Sequence, residues 1–391
     1  MKKKILFVIN SLGLGGAEKS LTSLLNVMDY SRYSVDLLMF NPGGMFMTLL
    51  PKQVNILPQL NFLKSNQSIK MQVLRPKYLL ARITASIGLC CNKGKNKLHP
   101  AQCYWKYAGF AFDVLPGHYD AAIAWGQGNP THYVARKVRA AKKIAVINAD
   151  YEAAGHKKDF DRCYYREYQY IANVSDDLCS KSKQVFPEFN EKMMTLYDIN
   201  NGEMIARMAE EKNPFVGESI PLKIVTVGRL VVPKGFDLAV SAAEILKRQG
   251  ICFKWFFVGE GPERTRIEAL IAQANLEKQI VLVGATDNPY VYMKHADIYV
   301  QTSRFEGYCL TLGEARMLNT PVISTNFDVV YNQLRDGENG LIVEMNPKAI
   351  ADAIQRLWND TVLRNHIVDK LRAEKKGNSE EIEKFYRMVE S

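Results

Sequence analysis

Two glutamates, Glu306 and Glu314, stand eight residues apart in Ser303-Arg304-Phe305-Glu306-Gly307-Tyr308-Cys309-Leu310-Thr311-Leu312-Gly313-Glu314-Ala315. The preceding Asp297-Ile298-Tyr299-Val300 reads as a buried strand end, and Ala315-Arg316-Met317-Leu318 continues a helix. Glu306 is thereby placed in a loop just ahead of a helix, and Glu314 within it. Backbone N–H groups at a helix start have no intrahelical acceptor and suit an anion. A phosphate there, with a carboxylate on either side to take hydroxyl groups, is the chemistry of a nucleotide sugar. Cations for such an anion occur upstream. Leu222-Lys223-Ile224-Val225-Thr226-Val227-Gly228-Arg229-Leu230-Val231-Val232-Pro233-Lys234-Gly235 is an apolar strand running into a loop. Its Arg229 and Lys234 are close enough in sequence to face one diphosphate, Arg as a planar fork of donors and Lys as a mobile point charge. Phe256-Phe257-Val258-Gly259-Glu260-Gly261-Pro262 is a second strand ending in a Gly-rich turn before a helix.

In this order these segments resemble the retaining, family-4 (glycosyl transferases group 1) type of GT-B glycosyltransferase, similar to those of capsule and exopolysaccharide synthesis. The resemblance is strongest over residues 222–345 and weaker over 1–60 and 120–200. It implies an α/β fold of two Rossmann-like domains whose parallel sheets face a central cleft. Residues 1–205 would bind the acceptor and 206–375 the nucleotide-sugar donor, and a helix in 376–391 would pack back on the first domain. Arg229, Lys234 and Glu306 are the implied catalytic groups. Gly15, Gly16, Gly259, Gly284, Gly307, Tyr308, Cys309, Leu310, Thr311 and Glu314 join them in holding the donor. The implied reaction is a front-face transfer with retention, in which a phosphate oxygen takes the acceptor proton. A hexose or N-acetylhexosamine would pass from a nucleotide diphosphate, UDP favoured, to a glycan or polyprenyl-linked acceptor. Neither a metal nor another cofactor is expected.

Two positions depart from the family. Trp125, followed by Gly126 and Gln127, stands where many relatives carry a His, and so does Asn148 in Ala145-Val146-Ile147-Asn148-Ala149-Asp150-Tyr151. No catalytic His carries over, which leaves Trp125, Gln127 and Asp150 as acceptor-side candidates. His118 and His132 read as loop or helix-surface residues. Asp159-Phe160-Asp161 matches the D-x-D of metal-dependent transferases, but it lies in a Lys/Asp/Arg stretch and reads as solvated.

These groups must be positioned by a chain of 391 residues, suited to two domains. Short apolar runs at Ile5–Asn10, Val35–Phe40, Ala121–Trp125, Ile144–Asn148 and Tyr170–Val174 read as strands, with helices at Ala17–Met28, Thr131–Arg139 and Asp176–Phe186. Further strands fall near 223–228, 252–258, 280–284, 297–301, 321–324 and 340–343. Such alternation implies parallel sheets covered on both faces. The linker is expected near Asn200–Ile220 and a closing helix near Glu380–Met388.

Composition excludes several classes. No apolar run reaches about 18 residues, so no membrane-spanning helix is expected. Ile5-Leu6-Phe7-Val8-Ile9-Asn10 after three lysines is too short for a signal peptide and reads as a first strand. Seven cysteines without framework spacing point to a reducing cytoplasm, with Cys90-Cys91 as free thiols. Gly13 and Gly15 begin a G-x-G-x-x-G, but Glu18 holds the third position and no ribose acid follows, which excludes a dehydrogenase loop. A glycoside hydrolase could use two glutamates but has no use for Arg229 and Lys234. A GT-B phosphorylase or epimerase, or a non-catalytic nucleotide-sugar-binding subunit, stays open as the alternative.

Charge is uneven. Residues 1–200 carry a net +12 and residues 201–391 a net −2, within a total of +10. Between Leu37 and Phe112 there is no acidic residue, while Lys52, Lys64, Lys70, Arg75, Lys77, Arg82, Lys93, Lys95, Lys97 and Lys106 are all basic. With the amphipathic Tyr78–Leu89 inside this block, the expectation is peripheral contact with an anionic membrane surface, at the inner face of the cell membrane, or with a lipid-linked phosphate acceptor. No nucleic-acid recognition motif accompanies the charge, so nucleic acid is not an expected partner.

Overall fold

The computed structural model describes residues 2–13, 15–64, 75–94, 97–217 and 221–391. Lys70, Lys95 and Ile220, named above, lie outside the described residues. The chain forms two compact units, Met1–Ile199 with Glu380–Ser391, and Asn200–Ser379.

In the first unit, strands β1 (Lys3–Ile9), β2 (Tyr33–Met39), β3 (Val54–Ile56), β4 (Tyr119–Trp125), β5 (Ala140–Ile147), β6 (Tyr170–Asn173) and β7 (Met193–Thr195) form one parallel sheet in the order β3-β2-β1-β4-β5-β6-β7. The chain leaves β1 toward β2 and β3 on one side, then returns to lay β4 on the other. That reversal is a topological switch point, where open α/β sheets bind ligands at the carboxyl ends of their strands. Helices α1 (Gly16–Val27), α2 (Asn61–Lys64), α3 (Pro76–Cys91), α4 (Pro100–Ala108), α5 (Asn129–Lys137), α6 (Lys158–Tyr165) and α7 (Asp176–Val185) connect or cover the strands. β1 is Lys-Lys followed by five fully buried apolar residues, the continuous run expected of a strand covered on both faces.

The second unit begins with α8 (Gly202–Ala209), inside the stretch read from the sequence as linker. Asn201 caps it by accepting from the Met204 N–H at 3.1 Å, and its face of Met204, Ile205 and Met208 is buried. Proline and serine nearby suggested a linker; the apolar period of α8 decides otherwise. Strands β8 (Leu222–Val227), β9 (Phe253–Val258), β10 (Ile280–Gly284), β11 (Ile298–Gln301), β12 (Val322–Thr325) and β13 (Leu341–Val343) form a parallel sheet in the order β10-β9-β8-β11-β12-β13. Its switch point lies between β8 and β11. Helices α9 (Phe236–Arg248), α10 (Arg264–Gln273), α11 (Tyr290–His295), α12 (Leu310–Met317), α13 (Pro347–Asn359) and α14 (Thr361–Ala373) complete the unit. Leu222, Ile224, Trp255, Phe257, Ile298, Val300 and Ile323 share its core with Ala239, Ala243, Leu246, Ile350, Ile354 and Leu357 from the helices.

After the second unit the chain returns to the first as α15 (Ile382–Glu390). Phe385 stacks on Phe7 of β1 with ring centroids 5.6 Å apart, Tyr386 stacks on Tyr33 at 4.9 Å, and Arg32 pairs with Glu390. α3 is apolar on both faces yet covered on one. Tyr78, Ala81, Ala85 and Gly88 are buried, while Leu79, Leu80, Ile83, Ile87, Leu89, Cys90 and Cys91 are exposed. No helix among the described residues is long and apolar enough to cross a membrane.

Candidate active site

The switch point of the second unit gathers the loops that follow β8, β9 and β11. Register sets this, because Val227 pairs with Val258 and Ile224 with Ile298. The first two loops are zipped by backbone bonds from Gly228 N–H to the Val258 carbonyl and from Leu230 N–H to the Glu260 carbonyl, both 3.0 Å. Gly259 is required here. Its φ is +149°, and a Cβ would lie 1.9 Å from the Gly228 carbonyl oxygen. Its N–H donates to the Gly284 carbonyl at 2.8 Å, tying in the end of β10. Gly235, at φ +65°, opens α9 in the left-handed region, and a Cβ would meet the Thr302 carbonyl oxygen at 2.0 Å. The β8 and β11 loops are then stapled. Arg304 donates to both oxygens of Asp237 at 2.8 Å, its N–H donates to the Pro233 carbonyl at 2.7 Å, and Thr302 Oγ1 donates to the Lys234 carbonyl at 2.9 Å. Burial would raise the Asp237 pKa, but the Arg304 guanidinium outweighs it and holds the carboxyl below its ordinary value.

Between these loops Lys234 Nζ donates to Glu306 at 2.6 and 2.7 Å. The Glu306 side chain is only 8% exposed. It also accepts from Ser303 Oγ at 2.5 Å and from Gln301 Nε2 at 3.1 Å. Burial opposes the Lys234 ammonium, but Glu306 outweighs it and keeps the lysine above its ordinary pKa. Arg229 is different. It is exposed, and among the described residues its guanidinium makes no hydrogen bond or ion pair.

Gly307 and Tyr308 lead from Glu306 into α12, and Gln333 Nε2 donates to the Tyr308 carbonyl and, at 3.2 Å, to that of Cys309. Cys309 is the N-cap residue at φ +66°, a left-handed conformation costing a non-glycine residue roughly 1–2 kcal/mol. The N–H groups of Cys309, Leu310 and Thr311 meet no acceptor among the described residues. Burial and Glu306 push the Cys309 thiol up, so it stays protonated. Glu314 is buried on α12 beside the Tyr290 hydroxyl, whose pKa burial and that carboxylate raise well above its ordinary value. The two glutamates thus have unlike surroundings, one ion-paired in a loop and one against a phenol.

The remaining candidates belong to the first unit, and the structure gives most of them partners. Gly15 caps α1 in an extended conformation, and open space lies beside the Cα of Gly16. Trp125 is buried against Phe7 and donates its indole N–H to the Ala17 carbonyl at 2.9 Å. Gln127 donates to the Ala149 carbonyl at 2.6 Å and accepts from the Asn148 N–H at 3.2 Å, clamping the β4 loop to the β5 loop. Asp150 accepts from the N–H groups of Glu152 and Ala153, closing a turn.

Two expectations are overturned. His132 is fully buried, not on a surface, and its Nε2 lies 2.7 Å from Asp161 Oδ1. Asp161, read as solvated, is buried and also accepts from the Tyr151 hydroxyl, with His156 Nδ1 at 3.6 Å. Burial would raise its pKa, but the bonds from His132 and Tyr151, with His156 close by, outweigh it and hold the carboxyl well below the usual range. Asp159 is the exposed member of the D-x-D, paired with Arg162 at 3.1 Å. The only advance signal was the spacing Asp161/Tyr165, one face of a helix whose Lys158 and Asp159 are exposed. His118 is an exposed loop residue, as expected.

Residues 209–374 match the family model for glycosyl transferases group 1. The match falls within the second unit. The resemblance carried by Arg229, Lys234, Glu306 and Glu314 is therefore to the family whose model matches. Over 380 residues, 96% of this chain and 95% of the relative, the chain is 26% identical to the N-acetylgalactosamine-N,N'-diacetylbacillosaminyl-diphospho-undecaprenol 4-alpha-N-acetylgalactosaminyltransferase of Campylobacter jejuni. It is 30% identical over 172 residues to the poly(ribitol-phosphate) alpha-N-acetylglucosaminyltransferase of Staphylococcus aureus, 42% of this chain but 34% of that one. The match to the alpha-D-kanosaminyltransferase of Streptomyces kanamyceticus covers 43% of its length, so the chain spans under half of these last two relatives. Among solved structures it superposes on Anabaena Alr3699/HepE in complex with UDP and glucose with a TM-score of 0.72, at 16% identity and full coverage of both chains. The fold is GT-B, α/β with two parallel sheets.

Proposed function

We propose that the protein is a glycosyltransferase of cell-surface polysaccharide synthesis, moving a hexose or N-acetylhexosamine from a UDP-sugar to a glycan or polyprenyl-linked acceptor with retention. The observation that carries this is the meeting of Arg229, Lys234, Glu306 and the open N–H groups of α12 at one switch point. Family membership of residues 209–374 supports it, as do relatives named for capsular, colanic acid and amylovoran synthesis and a structural neighbour holding UDP.

In this scheme the diphosphate lies against Arg229, Lys234 and the N–H groups of residues 309–311. These groups meet the negative charge that grows on the leaving phosphate as the glycosidic bond breaks. Lys234 turns from Glu306 toward the phosphate, and the freed carboxylate accepts from sugar hydroxyls. Glu314 takes the ribose hydroxyls by exchanging its contact with Tyr290. The acceptor hydroxyl attacks from the face the diphosphate leaves, and a phosphate oxygen removes its proton. The protein contributes positioning and fixed charge and supplies no strong base. No metal enters the scheme.

The exposed apolar face of α3 supplies the contact with the membrane. Leu80, Ile83 and Ile87 project from a helix flanked by Lys77, Lys93, Lys97 and Lys106, a combination suited to anionic lipid. Held there, the enzyme meets a lipid-linked acceptor at the surface where that acceptor resides.

The test is a thermal-shift screen against UDP-, GDP-, ADP- and dTDP-sugars, with and without EDTA. A UDP-sugar is expected to raise the Tm by several degrees, unchanged by EDTA and lost in Arg229→Ala. A shift that survives Arg229→Ala, or none from any donor, counts against this assignment.

A further inference from the structure

Behind Glu306 lies a chain of buried polar groups that all donate in one direction. Tyr299, Gln301 and Ser303 are each at most 1% exposed. The Tyr299 hydroxyl donates to Gln301 Oε1 at 2.5 Å, and Thr311 Oγ1 donates to the same oxygen at 3.3 Å. With its oxygen so occupied, the amide has one orientation. Its Nε2 must face Ser303 Oγ at 2.6 Å and Glu306 Oε1 at 3.1 Å, and the Ser303 hydroxyl in turn donates a hydrogen bond to Glu306. Burial keeps the Tyr299 phenol protonated far above its ordinary range, so the first link always donates.

Neither Gln301 nor Ser303 is among the residues assigned to the donor above, yet two of the carboxylate's three side-chain donors among the described residues come from them. Lys234, the third, is the one the diphosphate would recruit. A carboxylate held by the lysine alone would lose both its position and its counter-charge at the moment of donor binding. One held from behind keeps its rotamer while the lysine departs.

We propose that Gln301 is a positioning residue that holds Glu306 in place, with Ser303 as its partner, when Lys234 transfers to the donor diphosphate. This rests on the assignment of Glu306 to the donor sugar. Gln301 therefore acts on the turnover of bound donor and not on nucleotide affinity.

The experiment compares wild type, Gln301→Met, Glu306→Gln and the double variant. Donor turnover is read as UDP released from UDP-GlcNAc, UDP-glucose and UDP-galactose in turn, and UDP affinity is read by calorimetry. Gln301→Met is expected to lower kcat about tenfold, the effect of one positioning bond of roughly 1.4 kcal/mol, with KM and UDP affinity within about twofold of wild type. In the Glu306→Gln background the same change should cost nothing further, because its target is already gone. Tyr299→Phe combined with Gln301→Met removes both partners of the buried bond and keeps the readout separate from misfolding. Wild-type kcat in Gln301→Met, a loss that adds fully to that of Glu306→Gln, or a loss confined to UDP affinity would overturn the proposal. Turnover indifferent to Glu306, or no turnover of any of the three donors, would instead overturn the donor-site assignment beneath it.

Discussion

Replacing Lys234 by Ala removes an ammonium 2.6 and 2.7 Å from the two oxygens of a carboxylate that is 8% exposed. Taking one partner from a buried ion pair costs about 3–5 kcal/mol. Here Gln301 and Ser303 continue to donate to Glu306, and Lys234 itself is 23% exposed, which brings the expectation down to about 2–3 kcal/mol. The second unit spans Asn200–Ser379, and a domain of that size loses about 2–4 °C of Tm per kcal/mol, so its transition should fall by about 4–12 °C. Arg229→Ala removes a cation with no protein partner among the described residues and should leave stability within about 0.5 kcal/mol of wild type. Toward the ligand the two should behave alike. Each forfeits a charge-assisted bond to the diphosphate of about 1.5–3 kcal/mol, or roughly 10–150-fold in UDP affinity. Scanning calorimetry separates the variants by stability, and titration calorimetry with UDP unites them by affinity. Equal melting of Lys234→Ala and wild type would refute the buried-pair reasoning. An Arg229→Ala protein that melts early but binds UDP normally would refute the division of roles.

Asp161→Asn replaces a buried carboxylate that accepts from His132 and the Tyr151 hydroxyl by an amide that must turn a donor toward one of them, and should cost the first unit about 1–3 kcal/mol, seen as an earlier melting transition; an unshifted Tm would show the cluster to be energetically idle. Asp198 is buried with the Ser20 hydroxyl as its donor, and burial pushes its pKa to about 7. A carboxyl raised in the folded state favours folding fully below its ordinary value of 3.8 and loses that advantage as pH climbs through about 7. Asp198→Asn should therefore melt like wild type near pH 4 and higher than wild type at pH 8, and parallel Tm curves would contradict this. Leu80→Glu with Ile87→Glu on α3 should abolish co-flotation with phosphatidylglycerol vesicles at unchanged Tm, since both side chains are already exposed; flotation that persists would remove α3 as the contact.

What the sequence disclosed was local. Arg229 and Lys234 follow an apolar run that ends at Gly228, and Glu306 follows the run Ile298–Val300, so strand, loop and charge could be read together from a dozen residues. The strand cores followed for the same reason, because β1 and β8 are near-continuous apolar runs. The concealed features depend on partners far along the chain. Asp161 sits among lysines and arginines, and nothing local announces that His132, 29 residues earlier, lies against it. Gln301 and Ser303 read as the polar end of a strand, and only the fold turns their side chains toward Glu306. α8 was hidden by Pro214 and Ser219 beyond it, which signal a linker by composition although the residues before them carry a helical period. Cys309 occupies a left-handed position that composition would assign to glycine.

α15 has a consequence for how the molecule is made. The first unit is not complete when residue 199 has been synthesised, because Phe7 and Tyr33 await Phe385 and Tyr386. About 180 residues intervene, and at ribosomal rates of roughly 5–20 residues per second they take about 9–36 s to add. During that interval β1 and β2 present aromatic surface to solvent while the second unit, contiguous in sequence, is still being made. Order of completion therefore departs from order of synthesis: the second unit has all its residues at Ser379, and the earlier one is sealed only when the ribosome delivers its missing helix. A stop codon ahead of residue 382 would spare every donor-site residue and still leave a nascent chain for chaperones and proteases to triage.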